Sequence, residues 1–171
     1  MATAFRIGEI SEAPNLKPEI RDSNLFFGHV EVHLKDNRSY SLIAETLARI
    51  PNGFELGSLR RIEFNDRHVV KTAAMIRVYR ADIENEKADG IERGIQRLRL
   101  YPDLLFQLSD KAAIGVIVHE IAHAWLTENS GPEESQKRER EADDLARKWG
   151  FGQELDALYQ EAENTGGSVY G

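Results

Sequence analysis

Residues 112–126 (AAIGVIVHEIAHAWL) would be apolar nearly all round a helix, interrupted only by His119, Glu120 and His123. A helix that is apolar on every side belongs in an interior. This one segment therefore dictates the layout: the rest of the chain has to supply the layers that cover it. The longest unbroken apolar run, residues 112–118, falls far short of the ~20 residues a membrane span needs. Ser109 and Asp110 stand where a side-chain oxygen can accept a hydrogen bond from a free N–H of the first turn, so they mark the start of the helix.

With 171 residues, 41% of them apolar, the chain is long enough to bury a core within one domain. It has no cysteine, which excludes disulfide frameworks, cysteine-based zinc ribbons, iron–sulfur clusters and cysteine nucleophiles. A net charge of −7 argues against nucleic acid as a partner, because phosphate binding needs a clustered basic surface. The opening MATAFRIGEISEAP lacks the basic start and apolar core of a secretory signal. A soluble, cytoplasmic protein with no membrane partner is expected.

Around the central helix, residues 25–34 (LFFGHVEVHL) alternate as a strand does, and residues 59–64, 74–80 and 95–101 read as further strands. Leu42, Ile43, Thr46, Leu47 and Ile50 recur at helical spacing within 39–50, ahead of the Pro51-Asn52-Gly53 stop. Residues 82–94 are charged and read as a loop. Residues 127–132 read as a turn, 133–149 as a second helix ended by Gly150, and 153–163 as a third. Residues 1–24 form an extended arm and 165–171 a flexible tail, leaving 25–164 as the domain. Strands first and helices afterwards make an α+β fold, with a short, mostly antiparallel sheet packed on the buried helix.

The three polar residues of that helix form His119-Glu120-Ile121-Ala122-His123. Four residues turn a helix by about 400°, so both imidazoles point to one side, one turn apart. That spacing lets two nitrogens reach one Zn²⁺ at ~2.0–2.1 Å. Glu120, about 100° round, meets a metal-bound water from the side and suits a general base. A chance His-Glu-x-x-His in a chain of this composition arises at roughly 1–2%. Three ionisable groups on an apolar helix are expensive unless they share a purpose.

A catalytic zinc site takes three protein ligands and keeps one position open. No histidine follows His123, so the third ligand is expected from a carboxylate of the second helix, within Glu139-Arg140-Glu141-Ala142-Asp143-Asp144. If Ala142, Leu145, Ala146 and Trp149 face inward, Glu139 lies about 70° from the centre of that stripe and Glu141 about 90° away on the other flank. Glu139 and Asp143 share a face, so one could bind metal while the other orients His119. Glu141 and Asp144, three apart, could do the same. The spacing leaves the choice between Glu139 and Glu141 open.

HEIAH followed by EREADDLARKWGF resembles the gluzincins, zinc peptidases whose third ligand is a glutamate on a following helix. The EREAD run is close to the Glu-x-x-Ala-Asp signature of membrane peptidases of the prenyl-protein-protease type. It is also similar to the Glu-x-x-Ala-Asn of small soluble peptidases that cleave phage-type repressors. The likeness covers residues 95–150. It implies a small zincin-like domain in which His119, His123 and Glu139 bind Zn²⁺, Glu120 is the catalytic base and Asp143 supports a ligand from behind. It further implies a peptide or protein substrate that adds as a strand to an exposed sheet edge, for which 74–80 is preferred over 95–101. The chain departs from the first group in having no membrane-spanning helices. It departs from the second in having Asp143 where asparagine is usual. The substrate is therefore not carried over.

The function expected is zinc-dependent peptide hydrolysis. The alternative is a protein-binding module on such a scaffold, with zinc structural or absent and a protein partner recruited by the acidic surface. His68, Tyr79 and Tyr159 are candidate oxyanion donors that read more readily as structural residues, and none is assigned. His29 and His33, about 13 Å apart along a strand, are too far apart for one ion and read as surface residues. Arg97 and Arg99 read as a solvated strand face, and Lys137, Arg138 and Arg140 as an ion-paired helix surface. Trp125 and Trp149 are expected to pack the two motif-bearing helices together, and Gly115 to mark a close backbone approach.

Overall fold

In the computed structural model, which describes residues 23–64, 82–87, 94–105, 107–131, 133 and 135–164, the segment read as one strand over 25–34 is a hairpin. Gly28 takes φ 62° and turns the chain between β1 (Ser23–Phe27) and β2 (Val30–Leu34). That left-handed conformation costs glycine little, whereas a side chain would resist it. Val30, Val32 and Leu34 face the core, while Glu31 and His33 take the other side. Asp36 does more than end the strand. It caps α1 (Asn37–Arg49), its carboxylate accepting from the Ser39 N–H at 2.8 Å.

Strands β3 (Leu59–Phe64), β4 (Asp82–Lys87) and β5 (Gly94–Leu100) complete a five-stranded sheet in the order β1-β2-β3-β5-β4. The expected α+β class is what the structure has. The sheet, however, is mixed: β1–β2 and β4–β5 are antiparallel, while β2–β3 and β3–β5 are parallel. A parallel pair needs a crossover, and α1 provides it between β2 and β3. Strand β4 lies where a loop was expected. Its register sets Asp82 opposite Arg99 and Glu84 opposite Arg97. The 74–80 strand expectation falls outside the described residues. Within the described sheet, β5 is interior and β4 is an edge.

One sheet face is apolar, carried by Val30, Val32, Ile62, Leu98 and Leu100. The other carries cross-strand ion pairs: Arg61 with Glu31, Arg61 Nε with Glu63 at 2.9 Å, and Arg99 Nε with Glu63 at 3.2 Å. Burial alone would raise the Glu63 pKa, but the two arginines outweigh it and hold the carboxyl below its usual value.

After the short α2 (Pro102–Leu105), the central helix α3 runs over Asp110–Ser130, capped by Ser109, which accepts from the Ala112 N–H at 3.2 Å. It continues one turn beyond the apolar stretch, because Thr127–Ser130 contains no helix breaker. The chain leaves at Gly131, φ 80°. Helix α4 (Gln136–Lys148) starts at the Ser135 cap and is followed by Gly150 at φ 97°, and α5 (Gly152–Asn164) packs along α3. Helix α3 touches α1, α4, α5, β4 and β5. Every residue from Ala112 to Ala122 is buried. None of the described helices is long and apolar enough to cross a membrane.

At Gly115 the approach of α5 is so close that a Cβ would lie 2.6 Å from the Glu154 carbonyl oxygen. That close approach was expected at this glycine. Of the expected arm, Ser23 and Asn24 belong to β1 and residues 1–22 lie outside the description, as does the tail at 165–171.

Candidate metal centre

Helix α3 presents His119 and Glu120, 2% and 3% exposed, and the half-buried His123. Helix α4 meets it along Glu139, Ala142, Asp143 and Ala146, all buried at helical spacing. Glu139 thus lies on the inward stripe, where spacing had set it on a flank. The two alanines bring the helix axes close enough for carboxylates to reach the imidazoles.

His119 and His123 direct their Nε2 atoms at each other, 3.1 Å apart. Glu139 Oε2 is 2.8 Å from His119 Nε2 and 3.1 Å from His123 Nε2. Three donors bound tetrahedrally at ~2.0–2.1 Å would be about 3.3 Å from one another. The three separations are close to that edge length, and two imidazoles with a carboxylate form a donor set that suits Zn²⁺. Behind the cluster, Asp143 Oδ1 lies 2.7 Å from His119 Nδ1. It fixes the ring so that Nε2 points at Glu139. Glu120 Oε1 lies 4.0 Å from His119 Nε2, beside the three-donor group.

Burial opposes charge on His119, but Asp143 and Glu139 outweigh it and raise its pKa to about 9. Burial would likewise raise Glu139, and the two histidines instead hold it well below the usual carboxylate range. When protonated, the His119 ring can donate from Nδ1 to Asp143 and from Nε2 to Glu139. The same arrangement of charge accommodates a cation.

Among the described residues the cluster comprises His119, His123 and Glu139; Glu141 is half-buried outside it, and Asp144 is exposed. Tyr159 sits half-buried on α5, packed against the core. His68 and Tyr79 lie outside the described residues. His29 is in the hairpin turn, part-buried, with its Nε2 2.8 Å from the Leu56 carbonyl oxygen. Trp125 and Trp149 both meet the Phe54 ring edge-on, at 5.4 and 5.3 Å between centroids, so the connection after α1 supplies the shared partner.

Two supporting residues escaped the sequence reading. Gln96 is buried on β5 and donates from Nε2 to the Ala124 carbonyl at 2.8 Å, tying α3 to the sheet beside His123. Arg138, expected on a solvated surface, is 3% exposed. Its signal was its spacing: 138, 142, 145 and 149 follow one helical stripe. Compared with protein-family models, with curated proteins and with solved structures, the chain matches none.

Proposed function

We propose that this chain is a zinc-dependent peptidase of the gluzincin kind. The observation that supports the reading most is the convergence of the His119, His123 and Glu139 donors, with Glu120 beside them. His119 and His123 offer neutral nitrogens, Glu139 an anionic oxygen, and Asp143 holds His119 in the tautomer that leaves Nε2 free to bind. When bound, Zn²⁺ supplies Lewis acidity, polarising a carbonyl and lowering the pKa of water towards about 7.

Glu120 is the proton carrier. It accepts a proton from the attacking water as the new C–O bond forms, and returns it to the amine nitrogen as the C–N bond breaks. Its burial beside the metal ligands excludes bulk water from that transfer. The substrate is a peptide or protein.

Elemental mass spectrometry of the purified protein, together with Glu139→Ala and Glu141→Ala, tests the site. The expected result is about one zinc per chain, lost in Glu139→Ala and kept in Glu141→Ala. A parent protein that takes up no zinc when it is supplied would overturn the reading and favour a partner-binding role.

A further inference from the structure

Arg138 directly precedes Glu139, yet its guanidinium points away from the cluster. Nη1 donates to the Gly131 carbonyl at 2.9 Å, and Nη2 reaches Glu133 Oε2 at 3.4 Å. Its backbone N–H donates to the Ser135 cap at 3.1 Å. One residue thereby fastens the end of α3, the connection between the helices and the first turn of α4. Among the described residues, its buried Nε has no hydrogen-bond partner.

A buried guanidinium is a costly way to fill an inward position, and an apolar side chain of that length would be cheaper. The two alanine contacts of α4 lie one and two turns further along, beyond its first turn. Glu139 belongs to that first turn. Ligand atoms have to be held to within about 0.5 Å to bind well, and the connection they depend on begins at a glycine.

We propose that Arg138 is a positioning residue for the third metal ligand. It sets the first turn of α4 against the end of α3, so that the Glu139 carboxylate meets both histidines. The proposal rests on the metal reading above and adds a residue that touches neither metal nor substrate.

The test measures zinc affinity by competition with a chromophoric chelator, alongside metal-free thermal stability, for the parent, Arg138→Met and Arg138→Lys. Arg138→Met is expected to weaken zinc binding about tenfold to a hundredfold, the range seen when supporting partners of a ligand are lost. Arg138→Lys keeps a cation but has one compact donor in place of a fork. It is expected to fold like the parent and to show an intermediate loss, so the test survives if the methionine variant fails to fold. In the cobalt-loaded proteins, visible absorption should weaken from parent to lysine to methionine variant as Glu139 gives way to solvent. A purely structural role would lower the melting temperature and leave zinc affinity and the cobalt spectrum unchanged. Zinc affinity in both folded variants within twofold of the parent would overturn the proposal while leaving the metal reading intact. Absence of zinc binding in the parent would instead overturn the metal reading, and this inference with it.

Discussion

At Glu120 a single oxygen separates two roles. Glu120→Gln keeps the size of the side chain and removes its ability to carry a proton. Zinc content should stay at the parental level, while hydrolysis of a substrate should fall by about 10²–10⁴-fold, the usual contribution of a positioned acid–base group. A variant that hydrolyses as fast as the parent would sink the role given to Glu120. Asp143→Asn separates orientation from charge in the same way. It can still hydrogen-bond His119 Nδ1, 2.7 Å away, but no longer as an anion. Zinc affinity should drop by about tenfold or more, and unchanged affinity would leave Asp143 a bystander. Of these residues, the two histidines and Glu120 were legible because helix geometry fixes their relative directions. Glu139 was legible only through resemblance. Its inward position depends on where the buried stripe of α4 is centred, and burial of Glu139 and Asp143 themselves moves that centre. Buried carboxylates count as polar in any pattern, which is why the stripe was misplaced.

Between elements, sequence patterns do well where the local signal and the tertiary demand agree. Helix α3 follows from its apolar run and its serine cap, and Gly115 from its isolation in that run. Strand β4 was not legible, because Asp82, Glu84 and Glu86 are of types depleted in strands, and its place is set by backbone pairing with β5. The mixed sheet was also hidden, since strand direction is set by the α1 crossover and not by alternation. Gly115 gives a test at this scale. Alanine in a helix is favoured over glycine by about 1 kcal/mol, yet here the methyl would sit 2.6 Å from the Glu154 carbonyl oxygen and 3.2 Å from Leu158 Cβ. Backbone cannot yield as a flexible side chain can, so overpacking at about 1–3 kcal/mol should win. Gly115→Ala should lower the melting temperature measured by calorimetry. A more stable variant would mean that α5 can retreat from α3 at little cost.

Across the whole molecule, α1 links the sheet to the helices alongside the direct contacts of α3 with β4 and β5. Arg38 at its start donates to the Leu108 carbonyl at 2.6 Å and to Asp110 at 3.0 Å. Arg49 at its end grips Glu154 through both terminal nitrogens at 3.1 and 3.0 Å, donates to the Gly150 carbonyl at 2.9 Å, and stacks over Phe151 at 4.1 Å. The hydrogen bond from Arg49 lowers the Glu154 pKa below its ordinary 4.5, against the opposing effect of burial. A carboxyl whose folded-state pKa is depressed stabilises the fold above its unfolded value, and the stabilisation is lost as the pH falls through the folded value. The Arg49–Glu154 contribution should therefore be complete above about pH 4.5 and disappear on further acidification. Glu154→Gln keeps the shape and removes the charge. Chemical denaturation should find the variant about 1 kcal/mol less stable at neutral pH, a figure held low because Arg49 is partly exposed. The buried His119–Glu139–Asp143 cluster also responds to acid, but it is common to both proteins, so the difference between them isolates the pair. That difference should narrow steadily below pH 4.5. If it stays constant down to the point where both unfold, Glu154 acts by packing alone, and charge does not hold α1 to α5 at this contact.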